Sequence, residues 1–228
     1  MAETWLLLQS GDNTAACNMA WDEALLEWAA RLGRPLLRFY AWSEKAASFG
    51  YAQRFAEAAH ATHLRPLVRR PTGGGVVPHA ADWTYSLLFP PAHTWAGFSA
   101  SESYRRAHAW VRDAFARMEV PTLLSHGCRR ELPGRCFSGV ERFDLLWNGR
   151  KIAGAAQRRN RCGLLIQGSV QPPLLPIAKA DWQHAMCDVA ALDWGVRWEP
   201  FAAEAGLVQR AEELVRTKYA LAAYNERR

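Results

Sequence analysis

The stretch Arg69-Arg70-Pro71-Thr72-Gly73-Gly74-Gly75-Val76-Val77-Pro78-His79 sets three consecutive glycines between a basic pair and a histidine. Glycine has no Cβ, so such a run takes positive φ angles and lets backbone amides approach a ligand closely. Amides arranged this way cradle an anion or a polar head group. No Gly-Lys-Ser/Thr follows, which excludes a phosphate-binding P-loop. A bare glycine triplet is more often a tight turn between strands. It is Arg69, Arg70 and His79 around it that turn the reading toward a site. A second stretch, GRKIAGAAQRR from Gly149 to Arg159, carries Lys151, one of four lysines in a chain with 24 arginines.

Working outward, Pro66–Arg70 and Thr84–Phe89 read as strands flanking the glycine loop, and Pro90-Pro91 ends the second of them. Upstream, Thr4–Leu8, Leu36–Tyr40 and Ala46–Gly50 read as strands. Trp21, Leu25, Trp28 and Leu32 recur at helical spacing behind Asn18, a residue suited to an N-cap. Short and long helices are expected over Phe55–His63 and Ser101–Met118. His126–Glu141, rich in Gly, Pro, Arg and Ser, reads as a mobile loop. Asp144–Trp147, Lys151–Ala156 and Leu164–Val170 read as antiparallel strands. Asn148-Gly149 is a hairpin turn that sets Lys151 near the start of its strand. Helices over Lys179–Leu192 and Phe201–Asn225 complete a single α+β domain, residues 1–228, with a mixed, largely antiparallel sheet packed with helices.

Composition narrows the function classes. The 228 residues are 50% hydrophobic and 22% charged, enough apolar material for one large core. No window approaches a membrane span, and no basic segment followed by an apolar stretch marks a secretory signal, so neither membrane nor export is expected. Five scattered cysteines with no Cys-x-x-Cys pair make neither a disulfide framework nor a metal site, and they suit the cytoplasm. The net charge of +6 fits an acidic partner, or it is the composition of an arginine-rich genome. Arg158, Arg159 and Arg161 come without any nucleic-acid-binding pattern, so nucleic acid is not expected.

The order Arg-Arg-x-x-Gly-Gly-Gly-x-x-x-His, then Gly-x-Lys-x-Ala-Gly-x-Ala-Gln, resembles the lipoate-protein ligase and octanoyltransferase family. Asn18-Met19-Ala20, Asp22-Glu23-Ala24-Leu25 and Arg38-Phe39-Tyr40 are similar to that family too. The resemblance implies a biotin/lipoate protein ligase-like catalytic domain. In it Arg69, Arg70, Gly73, Gly74, Gly75, His79, Gly154 and Ala156 would bind the substrate, with Lys151 at the acyl group. Two positions depart from the family. Ala80 stands where an acidic residue often follows the histidine, with Asp82 beyond it, and Gln167 stands where many members have histidine.

Cys136, in Arg135-Cys136-Phe137, separates two chemistries. It is similar to the acyl-accepting thiol of the cysteine-dependent octanoyltransferases. A thiolate exchanges one thioester for another, and an amine then takes the acyl group as an amide. Arg129, Arg130, Arg135 and Arg142 nearby favour the thiolate. Cys128 is the rival thiol, while Cys17, Cys162 and Cys187 read as structural. The leading expectation is octanoyl transfer from octanoyl-acyl carrier protein, through Cys136 and with Lys151 at the carbonyl, to a lysine of a lipoyl or glycine-cleavage H-type protein. It needs no cofactor. The alternatives are a ligase using ATP and Mg2+, or a non-catalytic acyl-binding member of the fold. The absence of a small adenylation-assisting domain after Arg228 leans toward the transferase.

Overall fold

The computed structural model describes residues 2–128 and 139–227. In chain order the elements are β1 (Thr4–Asn13), α1 (Ala15–Leu32), β2 (Leu36–Trp42), β3 (Ala46–Phe49), α2 (Phe55–Ala61), β4 (Leu67–Arg69), β5 (Val77–His79), β6 (Trp83–Phe89), α3 (Thr94–Gly97), α4 (Ala100–Arg117), β7 (Leu123–Leu124), β8 (Leu145–Trp147), β9 (Arg150–Asn160), β10 (Gly163–Val170), α5 (Lys179–Trp194), β11 (Arg197–Pro200), α6 (Ala205–Leu214) and α7 (Ala222–Asn225). Eight strands form one sheet in the order β11-β1-β2-β6-β10-β9-β8-β7, and β4-β3-β5 form a small second sheet. β1 runs parallel to β11 and β2, and every other pair in the large sheet is antiparallel. The expected α+β class, with a mixed and largely antiparallel sheet, is what the chain adopts.

Alternation along the strands assigns the two faces. Leu37, Phe39, Tyr85, Leu87, Phe89 and Ile166 turn to α4 and α5, where Trp110 and Trp182 fill the layer. Leu6, Leu36, Leu88 and Leu165 turn the other way, to α1 and α6. β6 and β10 lie in the middle and are buried along their whole lengths. At their pairing, Gly168 faces Tyr85. A Cβ on Gly168 would lie 2.1 Å from the Tyr85 ring, so the missing side chain is what admits the ring.

α1 starts earlier than its apolar spacing suggests. Thr14 caps it, its hydroxyl accepting from the Cys17 amide at 3.3 Å, and the expected cap, Asn18, lies one turn inside. Asn18 has a different task. It is fully buried, its amide nitrogen donating to the Ala41 carbonyl and its amide oxygen accepting from Arg38. The long C-terminal helix expected over Phe201–Asn225 is broken. Between α6 and α7 lies a π-helical turn, Val215–Tyr219, in which Lys218 and Tyr219 both donate to Glu23 of α1. The edge strand β11 escaped the sequence reading because its residues are mostly exposed and carry no alternating pattern.

One buried polar cluster joins these layers. Arg38 and Asp22 are both wholly buried, with Arg38 Nη1 2.7 Å from Asp22 Oδ1. Ser86 and Gln167 donate to the other oxygen at 2.7 Å and 2.6 Å. Removing one partner leaves a charge in a medium that cannot solvate it. Arg38→Met is therefore expected to lower unfolding free energy by about 3–5 kcal/mol, and Arg38→Met with Asp22→Asn should recover a large part of that. Urea denaturation of the two variants beside the native protein checks both statements.

Candidate functional site

A cavity of about 780 Å3 opens over the centre of the large sheet. That lies within the range of pockets that hold a small ligand. Thr84, Ala156, Gln167, Gly168 and Ser169 make its floor, and Met19 of α1 and Tyr104 of α4 stand at its sides. The glycine loop and the segment Glu141–Phe143 border it.

The glycine loop is held by its own arginine. The Arg70 guanidinium donates to the carbonyls of Gly73 at 3.0 Å and Gly75 at 2.8 Å, and to Ser48 Oγ at 3.3 Å. Gly74 has φ +89°, a conformation that strains any other residue. Its carbonyl packs so close to Gly50 that a Cβ there would come within 2.0 Å. Thr72 donates to Gln167 Oε1 at 2.6 Å, while the Gln167 amide donates to Asp22. The glutamine at this departure from the family pattern thus ties the loop to the buried carboxylate.

Arg70, Gly74, Gly75, His79, Lys151, Gly154 and Ala156 all line the cavity. Arg69 and Gly73, expected to bind substrate, are not among its lining residues. The Arg69 guanidinium is turned to the C-terminal segment, donating to the carbonyls of Tyr51, Gln53, Asn225 and Arg227. Its basic charge is thus engaged by backbone carbonyls outside the cavity lining. Cys136 lies outside the described residues, as does most of the loop expected to be mobile. Of the described cysteines, Cys17, Cys128, Cys162 and Cys187, none lines the cavity. Burial pushes the Cys17 thiol up and that of Cys187 up to about 12, which suits inert thiols.

His79 is fixed on three sides. Its ring stacks on Trp42 with centroids 3.7 Å apart. Nδ1 is 2.8 Å from Asp82 Oδ2, and Nε2 is 2.8 Å from Ser48 Oγ. Ser169 also donates to Asp82. Asp82 thus takes the place of the acidic neighbour that Ala80 lacks. The order hydroxyl, imidazole, carboxylate matches a serine hydrolase. Here, however, the hydroxyl oxygen also accepts from Arg70 and the residue is 2% exposed, so the trio locks the ring into the cavity wall.

Lys151 comes from the predicted hairpin. Asn148 and Gly149 have φ +48° and +75°, as a two-residue hairpin turn of the primed kind requires. β8 and β9 pair from Trp147–Arg150 through Leu146–Lys151, then shift by one residue so that Leu145 meets Ala153. Lys151 Nζ lies 2.7 Å from Asp144 Oδ2. Tyr104 Oη donates to Asp144 Oδ1 at 2.5 Å, and the Glu141 amide to Oδ2 at 2.7 Å. Neither Asp144 nor Tyr104 was singled out in the sequence. The usable signal was an acidic residue at the start of the first hairpin strand. Behind Tyr104, His108 is wholly buried with neither ring nitrogen hydrogen-bonded. Burial first, with the nearby Lys151 cation adding to it, lowers its pKa to about 4 against the pull of Asp144.

Comparisons with known proteins show the family and the fold. The family model of the lipoyl protein ligase A/B catalytic domain matches residues 14–171. Octanoyltransferase LipM of Exiguobacterium sp. is 35% identical over 181 residues, 73% of this chain and 65% of that protein. LipM of Bacillus subtilis is 32% identical over 182 residues, covering 74% and 65%. The chain therefore spans just under two thirds of the length of these relatives. Protein Ta0514 of T. acidophilum, solved with bound lipoic acid, superposes with a TM-score of 0.80 at 18% identity over 99% of both chains. A lipoate-protein ligase A bound with ATP superposes equally well, and the likeness of both is one of fold.

The buried His108 makes stability depend on pH. It stays neutral in the native protein down to about pH 4, whereas an unfolded histidine takes a proton near 6.5. The unfolded state thus binds more protons between those values, and stability falls as pH drops through that window. His108→Phe is expected to remove about 2 kcal/mol of the loss seen between pH 7.5 and 5. Urea midpoints of native and variant protein at the two pH values give the difference.

Proposed function

This chain belongs to the lipoyl protein ligase A/B catalytic domain family, and from that membership and the cavity just described we propose that it is an octanoyltransferase of lipoate biosynthesis. Octanoyl-acyl carrier protein is the donor, and a lysine of a lipoyl or glycine-cleavage H-type domain is the acceptor. The relatives named octanoyltransferase LipM support the acyl chemistry. The bi-partite lipoate protein ligase of Thermoplasma acidophilum, described with its E2 lipoyl domain, supports the class of acceptor. No helix among the described residues is long and apolar enough to cross a membrane. We assign the enzyme to the cytoplasm, which its scattered cysteines suit.

The observation that supports the reading is that Lys151 shares the cavity wall with described residues that follow Cys136 closely in sequence. Gly139, three positions after Cys136, lines the cavity together with Glu141, Arg142, Phe143 and Lys151. In the first step the Cys136 thiolate attacks the thioester carbonyl. The new carbon–sulfur bond forms as the donor's breaks, and the carrier thiolate leaves and takes up a proton. In the second step the acceptor lysine, as free amine, attacks the acyl-cysteine. A carbon–nitrogen bond forms, Cys136 leaves as thiolate, and the amine proton passes to solvent or to that thiolate. Through both steps the Lys151 ammonium donates to the oxygen on which negative charge develops. Thr84, Ala156 and Gly168 leave room on the floor for the chain, and Arg70 shapes the loop that closes over it. The net charge of +6 suits two acidic protein partners.

Intact-mass measurement after exposure to octanoyl-carrier protein tests this. One octanoyl adduct, removed by hydroxylamine, is expected on the native protein and on Cys128→Ser. Cys136→Ser should carry none and should lose turnover. Lys151→Ala should slow acylation by about 100- to 1,000-fold, as loss of an oxyanion donor does. Native-rate transfer by Cys136→Ser in the presence of ATP and Mg2+ would replace the transferase with the ligase. A native protein that never acquires an acyl group, yet binds octanoate, would leave an acyl-binding protein.

A further inference from the structure

The carboxylate of Asp144 does more in this site than neutralise a buried lysine. Its side chain is 0% exposed, and its two oxygens are shared among Lys151 Nζ at 2.7 Å, the Tyr104 hydroxyl at 2.5 Å and the Glu141 amide at 2.7 Å. These donors come from three places: β9, the first turns of α4, and the segment leading into β8. A carboxylate with several donors in fixed directions has one orientation, and an ammonium bound to it inherits that orientation. A lysine left alone would keep four rotatable bonds and spread its charge over many positions.

The backbone is shaped to the same end. The one-residue shift between β8 and β9 breaks the ladder just where Asp144 enters. On β9, Gly154 supplies the floor under the lysine. A Cβ there would lie 3.0 Å from Lys151 Cε, 3.1 Å from its Nζ and 3.6 Å from Asp144 Oδ1. The small residue makes room for the ion pair as well as for ligand. Lys151 is 6% exposed and lines the cavity, so the clamp holds the cation in the cavity wall.

We propose that Asp144 is a positioning residue for the acyl transfer, acting through Lys151, with Tyr104 as its second support. The inference rests on the reading of Lys151 as the donor to the developing oxyanion. Asp144 touches neither substrate nor reacting atom. It fixes the direction of the Lys151 N–H bonds before the acyl group arrives, so that no reorganisation is needed when charge develops. Tyr104, which itself lines the cavity, keeps Asp144 Oδ1 from turning to the ligand in place of the lysine.

The test is a double-mutant cycle read in kcat and KM for octanoyl-carrier protein, on folded protein checked by its urea midpoint. Asp144→Asn keeps the shape and removes the charge. It should lower kcat by about 100-fold, the loss typical of a misplaced catalytic group, with KM within about 2-fold. Asp144→Glu should restore part of that rate. Tyr104→Phe, the variant least able to disturb folding, should lower kcat by about 3- to 10-fold, the worth of one hydrogen bond. In a Lys151→Ala background, Asp144→Asn should cost nothing further in kcat, because its route to the chemistry is gone. Asp144→Asn or Tyr104→Phe with native kcat would overturn the inference. So would an undiminished loss from Asp144→Asn in the Lys151→Ala background. Should Lys151→Ala itself turn over at the native rate, the reading of Lys151 fails, and this inference fails with it. A slow Lys151→Ala beside a native Asp144→Asn leaves that reading standing and removes the inference alone.

Discussion

The hydrogen bonds converging on the Asp22 carboxylate hold the site to the fold. Asp22 sits on α1 and accepts from Arg38 on β2, Ser86 on β6 and Gln167 on β10. A helix and three neighbouring strands are thus bound to one buried charge, and Arg38 extends the set to Ser10 on β1. A charge buried so deeply is tolerated only when its lone pairs are taken up by well-placed donors. The packing of α1 on the sheet and the polarity of the cavity floor are therefore one arrangement. Gln167 carries it outward, since its other end accepts from Thr72 and fixes the root of the glycine loop.

The site is built from two backbone supports, a loop and a hairpin, on either side of that floor. On one side, Arg70 gathers the loop carbonyls while Gly50 lets the loop backbone settle against β3. On the other, the Asn148-Gly149 turn and the shift after Lys151 bring a lysine and an aspartate together over a glycine. Neither support relies on a side chain that can swing freely. Of the charged groups facing the cavity, Arg70 is held by two carbonyls and a hydroxyl and Lys151 by a carboxylate before ligand enters. Preorganisation of this kind suits chemistry in which charge appears on an acyl oxygen.

Much of this was legible in the sequence because local rules and the glycine pattern agreed. The Asn-Gly turn, the strand holding Lys151 and the strands flanking the triple glycine follow from turn chemistry and alternation. Arg70 and His79 sit at the cavity as the motif implies, but Arg69 beside them does not. Adjacent residues on a strand point to opposite sides, and only the position of the C-terminal turn decides which arginine faces it. Asp82 was visible but its pairing with His79 was not, because the turn that joins them has no pattern of its own. Asp144 stayed hidden for another reason. A regular hairpin would set it against Ala153, and a one-residue bulge moves it to Gly154 and Lys151. Thr14 has the capping role expected of Asn18, since a buried asparagine serving Arg38 looks like a helix cap when only spacing is read.

A thioester already holds an activated acyl group, so the reading of this cavity as a transferase site implies that no nucleotide is consumed. The most direct measurement is transfer of octanoate from octanoyl-carrier protein to the lysine of a lipoyl domain, followed by the mass of that domain with ATP and Mg2+ omitted and then supplied. The account predicts octanoylation at the same rate in both conditions, and none from free octanoate in either. Acceptor modified only from free octanoate, and only when ATP and Mg2+ are present, would contradict it.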